Sequence, residues 1–235
     1  MEKYINNKKL YEFLLSKGIE NFFHANTLTT SCSFIQQNKL MSRGIVESLG
    51  LPQTSQESDI IDKKYGLWDC IFLDVYDLHK EGFGNYKRQN LYGPILFKLS
   101  TKCLIESVPN VRIIKENPVN WEKCNIDTSN AYLKLDEYIE NFGDNTFKKM
   151  IIFKEENFNL FLDKYLEEVI IDSTSSIKEV NYGKRAYDII LKHMESNNLQ
   201  CNIKMRECNY DCYCKKNYEE MSSKELQKLF LMKEK

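Results

Sequence analysis

Apolar positions in the first third of the chain fall into short, separated groups. Tyr4, Leu10, Phe13 and Leu14 recur near the 3.6-residue period of a helix and Gly18 is a natural stop, so residues 4–17 are predicted helical. Phe22-Phe23-His24-Ala25 is a continuous apolar run and reads as a strand. Thr27 occupies a cap position, and Leu28, Cys32 and Ile35 follow at i, i+4 and i+7 as the apolar face of a second helix. That pattern fades over residues 36–39, and Gly44 follows.

Residues 47–66 are polar and without period, so a long loop is expected, of the kind that carries function or moves. Residues 70–74 (CIFLD) and 94–99 (PILFKL) read as buried strands, joined by the polar, basic loop HKEGFGNYKRQN. Further strands are expected at 111–114, 150–153, 167–171 and 203–207, with helices at 131–140 and 184–194. The second of these helices carries Ala186, Ile189, Ile190, His193 and Met194 on one face. Ser222-x-x-Glu225 is a capping box opening a last helix with Leu226, Leu229 and Phe230 inward. Parallel crossover units need a helix after most strands, and here about five to seven strands have few helices between them. The predicted fold class is therefore α+β, with a split, mostly antiparallel sheet core and peripheral helices.

A length of 235 residues points to a single domain spanning 1–235. Lys+Arg is 33 and Asp+Glu 34, which excludes binding to nucleic acid through bulk positive charge but leaves room for a local groove. The hydrophobic share of 42% and aromatic share of 12% exclude disorder. The start, MEKYINNKKLYEFLL, has no apolar signal region, and no run approaches the roughly 18 apolar residues of a membrane span. A cytoplasmic setting without membrane contact is expected, with the eight cysteines reduced.

The familiar phosphate and nucleophile motifs are missing. Gly82-Phe83-Gly84 is only a G-x-G, Gly183-Lys184-Arg185 lacks the rest of a P-loop, and neither H-E-x-x-H nor G-x-S-x-G occurs. Within Cys201, Cys208, Cys212 and Cys214 the first close pair has zinc spacing, but Cys212-x-Cys214 is too tight, so no metal is expected. Two features remain. His24 ends an apolar strand that runs by way of a cap into a helix, and Glu167-Glu168 opens the apolar run Val169-Ile170-Ile171. An acid at the lip of a buried strand is costly to desolvate unless it faces a cleft or a partner.

In this order the two features resemble the ADP-ribosyltransferase fold, and within it the DarT-like group of toxins that modify nucleic-acid bases. His24-Ala25-Asn26 is similar to the family's H-x-T element, and Asn38-Lys39-Leu40-Met41-Ser42 to its G-L-x-S helix end. Ser58-Asp59-Ile60 followed by Lys63 and Lys64 resembles an S-D-I stretch with basic residues after it. Leu91-Tyr92-Gly93-Pro94-Ile95 resembles a later strand entry, and Glu168-Val169-Ile170-Ile171 the E-V-L-V strand. The match runs over about residues 20 to 205. Asn26 replaces Thr or Ser, and the family's arginine after S-D-I is missing, with Lys63 or Lys64 in its region and Arg88 the nearest arginine downstream.

The resemblance implies that NAD is cleaved at its nicotinamide–ribose bond and ADP-ribose is transferred to an acceptor. It makes Glu168 the catalytic carboxylate (Glu167 if the register slips), and His24, Asn26 and Tyr92 or Tyr65 contacts to NAD. Asp59, Lys63 or Lys64, and Arg88 would meet the diphosphate or the acceptor. Without a glycine-rich loop, NAD has to be held by side chains such as His24. The expected acceptor is a base of single-stranded DNA or RNA, held by the basic, aromatic stretches 63–68 and 85–92. A protein side chain is the alternative acceptor. A toxin of this kind implies a neutralising antitoxin protein. Two other classes stay open: a binding module of the same fold without turnover, and an adaptor docking through its C-terminal helix.

Overall fold

The computed structural model describes residues 4–77, 93–108, 110–143, 150–154, 159–174, 180–207 and 213–232. Strands β1 (Asn21–Asn26), β4 (Ile95–Ser100), β9 (Leu166–Asp172) and β10 (Asn202–Arg206) form one sheet in the order β1-β4-β9-β10. A second sheet runs β3-β7-β5-β6, from β3 (Cys70–Leu73), β7 (Ile151–Lys154), β5 (Val111–Ile114) and β6 (Tyr132–Leu133). β2 (Lys39–Leu40) and β8 (Leu160–Phe161) make a small ribbon. The two larger sheets meet at one pair. Phe23 N–H donates to the Asp74 carbonyl at 2.8 Å and Asp74 N–H to the Phe23 carbonyl at 2.9 Å. Beyond that pair β1 and β3 part, which is the expected split.

Among the described residues every strand pairing is antiparallel except β9 with β10. Those two are parallel, joined through helix α8 (Tyr182–Ser196), so one crossover unit sits inside an otherwise antiparallel α+β fold. Phe22, Ile95, Phe97, Leu99, Val169 and Ile171 alternate toward one face and join the main core. Helix α2 (Leu28–Gln36) packs there through Phe34, whose ring meets His24 and Phe97. The capping box opens α10 (Ser223–Phe230), whose Leu226, Leu229 and Phe230 are buried in the same core. That stripe is therefore spent on packing and leaves no apolar docking face on this helix.

Three expectations are corrected. The structureless stretch 47–66 contains the end of α3 (Arg43–Ser48) and helix α4 (Asp59–Lys64). α4 has little apolar period, but Asp59 and Asp62 lie in its first turn and Lys63 and Lys64 in its last, matching the helix dipole. Helix α2 is buried on all sides rather than along one stripe, because residues 52–54 wrap it: Ser33 Oγ donates to the Pro52 carbonyl, and Thr54 N–H donates to Thr30 Oγ1 at 3.0 Å. The helix expected over 131–140 is Leu135–Glu140, with residues 132–133 taken by β6. Helix α9 (Tyr213–Glu220) was hidden in the cysteine-rich stretch. No helix of the described residues is long and apolar enough to cross a membrane.

Candidate active site

His24 sits where the sheets part. Its Nδ1–H donates to the Phe72 carbonyl at 2.8 Å, across the split, and Asn26 Nδ2 lies 3.3 Å from Nε2. A carbonyl only accepts, so the proton is on Nδ1, and the Nε2 lone pair accepts the long bond from Asn26 Nδ2. Burial pushes the imidazole down to about 4, and the nearby Arg43 charge adds to this against the pull of the Phe72 carbonyl. His24 is therefore neutral at pH 7 and acts as an acceptor at Nε2. Asn26 is buried; its Oδ1 accepts from Thr27 N–H at 2.9 Å. Gly93 lies against this joint with φ +97°, and a Cβ there would be 2.4 Å from the Asn26 carbonyl carbon and oxygen. The approach of the β4 entry to the β1–α2 corner thus requires glycine.

Arg43 was not singled out by the sequence. Its Nε lies 2.7 Å from Asp59 Oδ1, and its Nη2 donates to Asp59 Oδ2 and to the Thr54 carbonyl, both at 2.9 Å. The guanidinium stacks over Trp68 at 5.4 Å, and Nη1 is buried with no hydrogen-bond partner among the described residues. Arg43 is thus the arginine whose charge reaches His24, and Asp59 is its counter-ion. In sequence it is a lone arginine between Ser42 and Gly44; its partner lies 16 residues on. Lys63 is engaged elsewhere, 3.0 Å from Glu47 Oε1 and 4.2 Å over the Trp68 ring, while Lys64 pairs with Glu122. Tyr65 packs on Trp121 at 4.7 Å between ring centroids.

The acids at the start of β9 are sorted by a bulge. Lys98 pairs with Glu168 but Leu99 pairs with Leu166, leaving Glu167 as the extra residue. Strict alternation would send the two acids to opposite faces; the bulge instead lets both meet side chains of one face. Glu167 Oε2 accepts from Asn21 Nδ2 at 2.7 Å and lies 3.8 Å from Lys98 Nζ. Glu168 Oε1 accepts from Asn202 Nδ2 at 2.6 Å, and Oε2 lies 2.7 Å from Lys204 Nζ.

The register also separates residues the sequence had grouped. His24 pairs with Phe97 and Phe97 with Val169, whereas Phe23 pairs with Lys98 and Lys98 with Glu168. Paired residues share a face and successive residues alternate, so His24 and Glu168 leave opposite faces of this sheet. A ligand touching both has to run through the split beside β1 or round the strand ends. Asp74, paired with Phe23, completes one row with Lys98, Glu168 and Asn202. Its carboxyl has no hydrogen bond or ion pair among the described residues, and burial pushes it up to about 8. Asp172 is the contrast: it is fully buried and accepts from Arg206 at 2.6 Å and from the Tyr218 hydroxyl at 2.7 Å.

Tyr92, Arg88, His79, Cys208 and Cys212 lie outside the described residues, as does the polar loop of residues 79–90. Neither Cys201 nor Cys214 is in a disulfide. Among the described residues no group of three or more His, Cys, Asp or Glu side chains is placed to hold a metal ion.

No protein-family model matches the chain, and no curated protein matches it in sequence. Solved structures do match. DarT of Thermus sp. 2.9 in complex with ADP-ribosylated ssDNA superposes with a TM-score of 0.50 and 10% identity, over 80% of this chain and 95% of that one. The same protein in complex with NAD+ gives a TM-score of 0.47 at 10% identity, over 80% and 96% of the two chains. Its complex with carba-NAD+ gives 0.44 at 9% identity, over 83% and 98%. The first of these shows that the chain has the α+β, ADP-ribosyltransferase-like fold expected from its sequence.

Proposed function

We propose that the protein is an NAD-dependent mono-ADP-ribosyltransferase that modifies a base in single-stranded DNA. The observation that carries this reading is a fold shared with DarT over most of the chain, with a carboxylate, Glu168, held by two partners at the start of β9. The DarT structures that match were solved with NAD+ and with ADP-ribosylated ssDNA, which favours DNA over RNA or protein as acceptor.

In the proposed reaction the bond from ribose C1′ to the nicotinamide nitrogen breaks, and nicotinamide leaves with the electron pair. A ring atom of the acceptor base bonds to C1′, and the proton it sheds passes to Glu168. The ribose carries oxocarbenium character in the transition state, which an ionised carboxylate beside its 2′-hydroxyl stabilises. With NAD running through the split beside β1, His24 offers its Nε2 lone pair to a ribose hydroxyl from the face opposite Glu168. The 3.3 Å contact from Asn26 is long, and a ligand replaces it at little cost. Asn26 is then free to meet the nicotinamide amide. Arg43 takes the place of the family's missing arginine: its unpartnered Nη1 supplies donors to the diphosphate, with Asp59 fixing the plane of the guanidinium. Tyr92 stays the proposed stacking partner of nicotinamide, and Arg88 a contact to the acceptor strand. Such an activity in a cytoplasm is toxic unless an antitoxin protein restrains it, so expression of the wild-type chain should stop growth and Glu168→Gln should relieve the arrest.

The test is incubation of the purified chain with NAD labelled in its adenylate and with a DNA oligonucleotide. Label on DNA supports the reading, label on protein alone points to a protein acceptor, and no consumption of NAD leaves a binding module.

A further inference from the structure

We infer that the parallel strand β10 is the holder of the reacting carboxylate, with Asn202 and Lys204 as positioning residues for Glu168. The inference rests on the reaction proposed above. The parallel register sets Asn202 opposite Glu168 and Lys204 opposite Ile170. Alternation along β10 sends Asn202 and Lys204 to the face of Glu168, while Ile203 between them packs toward the main core. One side chain then reaches each oxygen: Asn202 Nδ2 donates to Oε1 at 2.6 Å, and Lys204 Nζ lies 2.7 Å from Oε2.

The neighbouring acid shows what is particular about this arrangement. Glu167 also has one asparagine and one lysine, Asn21 and Lys98, but both approach Oε2, the lysine at 3.8 Å, and the side chain is 46% exposed. Glu168 is 12% exposed and held at both oxygens. An ionised carboxylate offers about four lone-pair sites. Two are used by β10, so one remains on each oxygen: one for the ribose 2′-hydroxyl and one for the acceptor's proton. The asparagine amide fixes the plane of the carboxylate. The lysine sets a compact positive charge against the second oxygen and holds it in place. Neither residue has to touch NAD. Both act through the orientation and charge of Glu168, so their loss should fall on turnover more than on NAD binding.

The test is steady-state kinetics on the full chain with NAD and a single-stranded DNA oligonucleotide, reading nicotinamide release and label on DNA. Lys204→Met and Asn202→Ala should each lower kcat by about 10- to 100-fold, the scale of a lost hydrogen bond to a charged group, with KM for NAD changed less than about threefold. Lys204→Arg should recover most of the turnover. In a Glu168→Gln background neither substitution should lower the residual rate further. If Glu168→Gln is inactive but Lys204→Met and Asn202→Ala keep wild-type kcat, the positioning role is overturned and the assignment of Glu168 stands. If Glu168→Gln is as active as wild type, or the wild type releases no nicotinamide, the underlying reading fails and the positioning role with it. Should Asn202→Ala not fold, Asn202→Ser makes the same comparison. A rise in KM that accounts for the whole loss would also overturn the proposal.

Discussion

Replacing Asp74 by Asn should make the protein more stable at neutral pH, although Asp74 closes the pair that joins the two sheets. The backbone bonds to Phe23 do not involve the side chain and survive the change. Among the described residues the carboxyl has no hydrogen bond or ion pair, and burial raises it from 3.8 to about 8. A raised folded pKa means that the folded state binds the proton more tightly than the unfolded chain. The associated stability is fully present below pH 3.8, declines as pH rises, and is gone above about pH 8. Each pKa unit corresponds to about 1.4 kcal/mol, so at pH 7 the wild type has lost up to about 4 kcal/mol that it holds in acid. Asparagine has the same shape as the protonated acid and does not titrate. Urea unfolding of both proteins from pH 4.5 to pH 8 should give similar stabilities at the acid end and a gap that widens steadily toward pH 8 in favour of Asp74→Asn. Effects of all other titrating groups cancel in the difference. A gap independent of pH, or an Asp74 carboxyl titrating near 4 by NMR, would mean that burial does not hold this carboxyl protonated.

The His24 ring should titrate near pH 4 by NMR and stay in the Nδ1–H form through neutral pH; a value near 6.5 would mean the ring is solvated and its Phe72 bond broken. Gly93→Ala should lower stability by about 2–4 kcal/mol in chemical unfolding, since a positive φ and a backbone clash at Asn26 act together. Arg43→Lys keeps the charge but loses the planar fork toward Asp59 and the Thr54 carbonyl, and should weaken NAD binding by about 10-fold in calorimetry; an unchanged affinity would remove Arg43 from the diphosphate.

The fold class was legible because its strands are short apolar runs with few helices between them, and β5 occupies the predicted residues 111–114. The helix caps were legible as well, most clearly at Ser222 and Glu225. Helix α4 was not, because it is held by charge placement and by Arg43 rather than by an apolar stripe. The geometry of the site was less legible still. The bulge that turns Glu167 and Glu168 toward different partners depends on where β4 pairs, about 70 residues upstream, and no local pattern encodes it. Asn202 and Lys204 read only as the polar positions of a strand. The role proposed for them follows from the parallel pairing of β10, a geometry the scarcity of helices had argued against. His24 and Glu168 were grouped by order along the chain, and only the register reveals that the sheet lies between them.

Glu168 is proposed to drive transfer of ADP-ribose from NAD to single-stranded DNA. Incubating the purified wild type and Glu168→Gln with adenylate-labelled NAD and a single-stranded DNA oligonucleotide tests it most directly. Label on the DNA is expected with the wild type and at least about a 100-fold lower rate with Glu168→Gln, at equal thermal stability of the two proteins. Unlabelled DNA with the wild type, or equal labelling by both proteins, would contradict it.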